Sequence, residues 1–211
     1  MLEASQLACR RGDRLLFSGL SFQVEPSTLL HVEGHNGSGK TTLLRALCGL
    51  SSADEGEIRW RGTSIASDLE AYHAELLYFG HLNGIKSDLT GIENLRIAAG
   101  LAGDKVPEAD LWDALSRMGL AGFEDLPTKV LSQGQKKRVA LAKLLLTRAA
   151  VWILDEPFTA LDVDAVDFLQ SRIAHHVEGG GICILTTHQA VELTEGQVQR
   201  LRLGRKPRRE A

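Results

Sequence analysis

Cysteine is scarce, with Cys9, Cys48 and Cys183 alone among 211 residues, and they are widely spaced with no C-x-x-C pair. This excludes a disulfide framework and the usual thiolate metal sites, and it suits a reducing compartment in which the thiols are buried and inert. Long hydrophobic runs are missing too: none approaches the roughly 18 residues of a membrane span. The N-terminus has no signal-peptide pattern, which predicts a chain that stays in the cytoplasm. Charge of one sign is not in excess, and a net charge of −3 gives no reason to expect nucleic acid as a partner. There are no obvious repeats or low-complexity tracts, and only the tail "GRKPRREA" reads as disordered. What remains is 44% hydrophobic, enough to bury a good core in one compact unit, with a subdomain left open by the length.

The clearest positive signal is "GHNGSGKTT", residues 34–42. It fits the phosphate-loop spacing of glycine, four residues, then Gly-Lys-Thr. It follows the strand-like run "STLLHVE" and precedes the apolar helical pattern "TTLLRALCGL". Gly34, Gly37 and Gly39 open backbone conformations closed to other residues, so successive N–H groups of Gly34, His35, Asn36, Gly37, Ser38, Gly39, Lys40, Thr41 and Thr42 can converge on a β-phosphate. Lys40 is expected to reach the β- and γ-phosphates, and the Thr41 hydroxyl to be a Mg²⁺ ligand.

A second segment, "VWILDE" at residues 151–156, runs four apolar residues directly into two acids. Alone it reads first as a strand entering an acidic surface loop. With a phosphate loop upstream, the carboxylates fall at the C-terminal edge of a parallel sheet, where open α/β folds bind ligands. Asp155 then orients Mg²⁺, and Glu156 polarises or deprotonates the attacking water.

The third segment, "KVLSQGQKKRVALAKLLL", begins at Lys129. A serine caps a helix whose Val139, Ala142, Leu145 and Leu146 recur at helical spacing. Yet Lys136, Lys137 and Arg138 sit near its N-terminus, where the helix dipole disfavours cations by a few tenths of a kcal/mol or more each. An anion close to Gly134 is expected to offset them.

Between these segments, the first ~30 residues and "GEIRWRG" read as short strands of an antiparallel patch. "LTGIENLRIAAGLAG" and "PEADLWDALSRMGLAGF" carry helical spacing, with Thr90 as a cap and Gly100 and Gly119 near the ends. "DVDAVDFLQSRIAHHVEG" reads as a helix with His175 and His176 on a solvated face, followed by the buried-type strand "GICILTTH". The expected fold is α/β: a P-loop NTPase core with a mainly parallel sheet, an antiparallel β patch and a helical subdomain.

The order "GHNGSGKTT", "LSQGQKKR", "VWILDEP", "TALD" and "TTH" resembles the nucleotide-binding domain of ABC transporters over essentially the whole chain. The resemblance implies a single ABC ATPase domain over residues 1–211. About 1–80 and 127–211 would form the catalytic core, and about 81–126 the helical subdomain. It also implies a homodimer with ATP at the interface, in which Ser132, Gln133 and Gly134 of one copy contact the γ-phosphate held by the other. That would supply the anion for the cationic first turn. Asp162 in "TALD" is implied to lie at the dimer seam, and His188 to sense the γ-phosphate. Two positions depart from the family pattern. His81 in "YFGHLNG" stands where a glutamine usually meets Mg²⁺ and water, which would make turnover pH-sensitive near neutrality or leave His81 without a role. Arg11 stands where an aromatic residue usually stacks on adenine, and a guanidinium can stack there in its place.

"YFGHLNGIKSDLTGIENLR", "WILDEPFTALD" and "ILTTHQ" in so short a chain are similar to the haem-exporter ATP-binding subunits of the cytochrome c maturation system. That resemblance implies a separate transmembrane permease subunit, other cytochrome c maturation proteins as partners, and a peripheral place on the cytoplasmic face of the inner membrane. No C-x-x-C-H occurs, so haem itself is not read from the residues. An ATPase subunit for another cargo, a soluble ABC-type ATPase acting on ribosomes or nucleic acid, and a scaffold that binds ATP without turnover are the other readings.

Overall fold

The computed structural model describes residues 1–103, 105–187 and 196–204, and it contains two sheets. Strands β1 (Leu2–Arg11), β2 (Arg14–Val24), β4 (Glu55–Trp60) and β5 (Thr63–Ser64) form an antiparallel sheet in the order β2-β1-β4-β5. Strands β3 (Thr28–Glu33), β6 (Leu76–Phe79), β7 (Val151–Asp155), β8 (Ile182–Thr186) and β9 (Gln197–Arg202) form a parallel sheet in the order β6-β7-β8-β3-β9. The antiparallel strands at the N-terminus are longer than the expected short pieces, at 10 and 11 residues. Register shifts between Ala4 and Arg10 interrupt their pairing and let them bend over the parallel sheet.

Every residue of β7 and β8 is buried, which explains their unbroken apolar sequences. Successive side chains serve opposite faces. Trp152, Leu154, Cys183 and Leu185 enter one core, and Val151, Ile153, Ile182 and Ile184 the other. The first core is closed by α3 (Gly91–Leu101), α4 (Glu108–Leu115), α5 (Gln133–Leu141) and α6 (Val163–Glu178). The second is closed by α1 (Lys40–Leu47), by Tyr72 of α2 (Leu69–Ala74) and by the antiparallel sheet. All three cysteines are buried and unpaired, and burial pushes the thiols of Cys48 and Cys183 far up, so they stay protonated. No helix among the described residues is long and apolar enough to cross a membrane.

Helices α3 and α5 each start with a reciprocal capping box, Thr90 with Glu93 and Ser132 with Gln135. Beyond α4 a π-helical turn, Ser116–Leu120, carries Gly119 at φ 72°, where the helical path breaks. One expectation is corrected here. His176 does not lie on a solvated face: its ring stacks on Trp152 at 3.9 Å between centroids and 4° between planes, and its Nε2–H donates to the Ile182 carbonyl. Gly181 leaves room for it, since a Cβ there would collide with the imidazole. His175 is exposed as expected.

Candidate functional site

The C-terminal ends of four adjacent parallel strands meet at one edge. β3 runs into the glycine loop, β6 into His81, β7 into Asp155 and Glu156, and β8 ends on Thr186. The segments that follow β3, β6 and β7 border a cavity of about 350 Å³, and Thr186 of β8 reaches it through its bond to Asp155. The loop contributes Asn36, Gly37, Gly39, Lys40, Thr41 and Thr42, and Asp155, Glu156 and His81 face it from the neighbouring strand ends. The hairpin joining β1 to β2 brings Arg11, Arg14 and Leu16 to the same space.

The loop has the properties of an anion cradle. Gly39 caps α1 at φ 103° with no side-chain bond to the helix, and the first turn holds no acidic residue, so its N–H groups and dipole are left for a bound anion. A Cβ at Gly39 would press on Leu16 and Phe17 at 3.1–3.2 Å, and one at Gly34 would collide with Ser38 Oγ. Ser38 Oγ is buried with no hydrogen-bond partner among the described residues, a donor still available inside the loop. Lys40 Nζ reaches back to donate to the Gly34 carbonyl at 2.7 Å, spanning the loop. The His35 ring bonds the Asn36 carbonyl and does not line the cavity.

Thr41 Oγ1 donates to Asp155 Oδ2 at 2.8 Å, and Thr186 Oγ1 donates to Asp155 Oδ1 at 2.7 Å. Asp155 is only 2% exposed, so these bonds fix a carboxylate beside the loop. Because the Thr41 hydroxyl spends its proton on Asp155, its lone pairs remain for a cation. Two hard oxygens so placed fit Mg²⁺, which binds through one or two protein ligands and completes its shell with water and phosphate. No cluster of three His, Cys, Asp or Glu occurs among the described residues.

Glu156 follows in the left-handed region, at φ 50°. Its N–H is held by the Thr186 carbonyl at 3.2 Å and Thr186 Oγ1 at 3.0 Å, and its own carbonyl accepts from Lys137 Nζ at 2.9 Å. A non-glycine residue in that conformation costs about 1–2 kcal/mol, and it persists here because these bonds, with one from Thr159 N–H to the Glu156 carbonyl at 3.4 Å, determine the backbone.

The residues Ser132, Gln133 and Gly134 do not border this cavity in their own chain; they form the cap and first positions of α5. Of the cations near its N-terminus, two have partners within the chain. Lys137 is buried on Glu156 O, and Arg138 pairs with Asp162 Oδ2 and reaches the Met118 carbonyl. Only Lys136 is directed to the exterior, over Lys129 O at 3.4 Å. Asp162 also caps α6, accepting from Ala165 N. His188 lies outside the described residues.

Thr186, Lys137, Arg14 and Leu16 are site residues that the sequence reading missed. Thr186 stood in the quoted "TTH", and its pairing opposite Asp155 in the parallel register is the feature that makes it matter. Lys137 stood among the cations of "QKKR" without a stated partner.

A family profile described as ABC transporter matches residues 17–159. The chain is 54% identical over 204 residues to the cytochrome c biogenesis ATP-binding export protein CcmA of Dechloromonas aromatica, covering 97% of this chain and 100% of that one. To the protein of the same name from Escherichia coli K12 it is 52% identical over 203 residues, 96% of each chain. Among solved structures it is similar to a putative ABC transporter ATP-binding protein from Pyrococcus furiosus, with a TM-score of 0.81 at 26% identity over 96% of both chains. The dimeric ATP-binding cassette MJ0796 bound to ADP and phosphate has the same fold, with a TM-score of 0.83 at 19% identity over 97% of both chains.

Proposed function

The chain belongs to the ABC transporter ATP-binding family, and from that premise we propose that it is the ATP-hydrolysing subunit of a transporter complex serving haem handling in cytochrome c maturation. The observation that carries the chemistry is the single cavity in which the glycine loop, Thr41, Asp155 and Glu156 meet. The cargo class rests on the relatives named for cytochrome c biogenesis export, which match nearly the full chain.

ATP binds with its phosphates on the loop N–H groups and Lys40, and with adenine against Arg11. Thr41 and Asp155 would hold Mg²⁺, which would supply positive charge to offset that of the phosphates. Glu156 accepts the proton of a water whose oxygen bonds the γ-phosphorus. The bond from that phosphorus to the β–γ bridging oxygen breaks, leaving ADP and inorganic phosphate. His81 orients the water from the other side of the cavity, and His188 meets the γ-phosphate.

A second copy completes the site, placing its Ser132, Gln133 and Gly134 on the γ-phosphate and its Asp162 along the seam. The MJ0796 cassette, named as a dimer, offers a structural precedent for such a pair. A separate transmembrane permease subunit carries the cargo, with the ATPase peripheral on the cytoplasmic face of the inner membrane beside other maturation proteins. Steady-state hydrolysis tests the chemistry. Glu156→Gln should retain ATP binding and lose turnover by about a hundredfold or more, because an amide cannot take the proton. Lys40→Ala should weaken binding as well. Unchanged turnover in Glu156→Gln would remove the base from the mechanism.

A further inference from the structure

Helix α5 carries more than the segment offered to a second copy. Lys137 lies one turn into it, only 6% exposed, with Nζ 2.9 Å from the Glu156 carbonyl and 5.0 Å from the centre of the Phe79 ring. Lys143, in the 3₁₀ turn that continues α5, approaches the same ring at 5.3 Å and donates to the Tyr78 carbonyl at 2.8 Å. The two ammonium groups thus grip Phe79, the last residue of β6, two positions before His81.

A buried lysine is an expensive way to fill space. Burial lowers the pKa of Lys137, with Glu156 and Asp155 opposing the shift, and brings that of Lys143 down to about 8. An apolar side chain of similar length would avoid that cost, so the groups need a use in the positions they hold. The Glu156 backbone supplies one: it is held in an unfavourable conformation, and Lys137 bonds its carbonyl from α5, outside the parallel-sheet edge and its own turn.

We infer that Lys137 is a positioning residue: by holding the Glu156 carbonyl it fixes the left-handed backbone that presents the carboxylate to the cavity, and it ties that carboxylate to the helix whose N-terminus meets the second copy's nucleotide. The inference rests on the reading of Glu156 as the base. Its consequence is that α5 cannot shift against the second nucleotide without moving the base of its own site, through a bond of 2.9 Å. The Arg138–Asp162 pair ties the same helix to the proposed seam residue, so two consecutive side chains link α5 to both segments that follow β7. Lys143 supports the arrangement by bracing the strand that leads to His81.

The test compares Lys137→Met, which keeps the length and loses the donor, with Lys137→Gln, which keeps an N–H. Lys137→Met should lower kcat about tenfold to a hundredfold, as a displaced catalytic group does, with KM and ATP affinity unchanged. Lys137→Gln should stay within about threefold of the parent. On a Glu156→Gln background, Lys137→Met should cause no further loss, because it acts only through that carboxylate. Parental kcat in Lys137→Met, a rise in KM alone, or full additivity in the double variant would overturn the inference. If Lys137→Met does not fold, Lys137→Leu is read in its place: a folded protein tenfold or more slower in kcat at unchanged KM supports the role, and parental kcat overturns it. Turnover that survives Glu156→Gln would instead overturn the underlying reading of the base.

Discussion

His176 shows what a single buried ring imposes. Burial lowers its pKa to about 4, with the Ile182 hydrogen bond opposing the shift and Arg172 adding to it. As pH falls the unfolded chain takes up this proton first. Stability is therefore complete above about pH 6.5 and is lost towards pH 4, by about 3 kcal/mol in all. His176→Phe keeps a ring against Trp152 and should flatten that loss, as read by urea unfolding between pH 6.5 and 5. An unchanged slope would assign the loss to other groups. At His81, which lines the cavity, an imidazole nitrogen can accept a hydrogen bond from the water. His81→Gln should retain activity, since an amide oxygen can accept the same bond, and His81→Ala should lower kcat; parental kcat in His81→Ala would leave His81 outside the chemistry. Lys40, Thr41, Asp155 and Glu156 were legible as candidates because motif spacing ties each to a phosphate, metal or water. Thr186 and Lys137 were not, since a hydroxyl ending an apolar strand and a lysine inside a helix have no spacing that names a partner.

Among elements, β7 and β8 were legible because a strand buried on both faces must be apolar throughout. β6 is only four residues long, and β9 alternates exposed polar positions at the sheet edge, so neither contains the run that identified the others. Their pairing partners, far away in sequence, decide them. The glycine loop and α1 were legible together, and Gly39 is where they can be tested. At its φ of 103° a side chain is strained, and a methyl group would press on Leu16 and Phe17. Gly39→Ala should cost about 1–3 kcal/mol in urea unfolding and abolish ATP binding; parental stability would show that the loop relaxes freely. In the helical region, Leu82 and Leu101 stand 84% and 86% exposed, apolar surface that the core does not use. We expect Leu82→Ser and Leu101→Ser to reduce recovery with membranes and to leave ATP binding intact. Full recovery would move the docking surface away from residues 78–126.

At the scale of the whole molecule, the sheet edge collects the loop, Thr41, Asp155 and Glu156 into one cavity, while the capped start of α5 is not among its lining residues. Ser132, Gln133 and Gly134 are absent from the cavity's border in their own chain, which is what supports the proposed second copy. The α/β core with its antiparallel sheet was legible from the alternation of strand and helix, whereas the way α5 is tied to Glu156 and Asp162 depends on contacts that only the folded chain creates. The account is tested most directly by sedimentation velocity of the Glu156→Gln variant, with and without ATP and Mg²⁺. It predicts a monomer without nucleotide and a dimer with it, because each bound ATP then bridges the loop of one copy and α5 of the other. A chain that remains monomeric under saturating ATP at every protein concentration would contradict it.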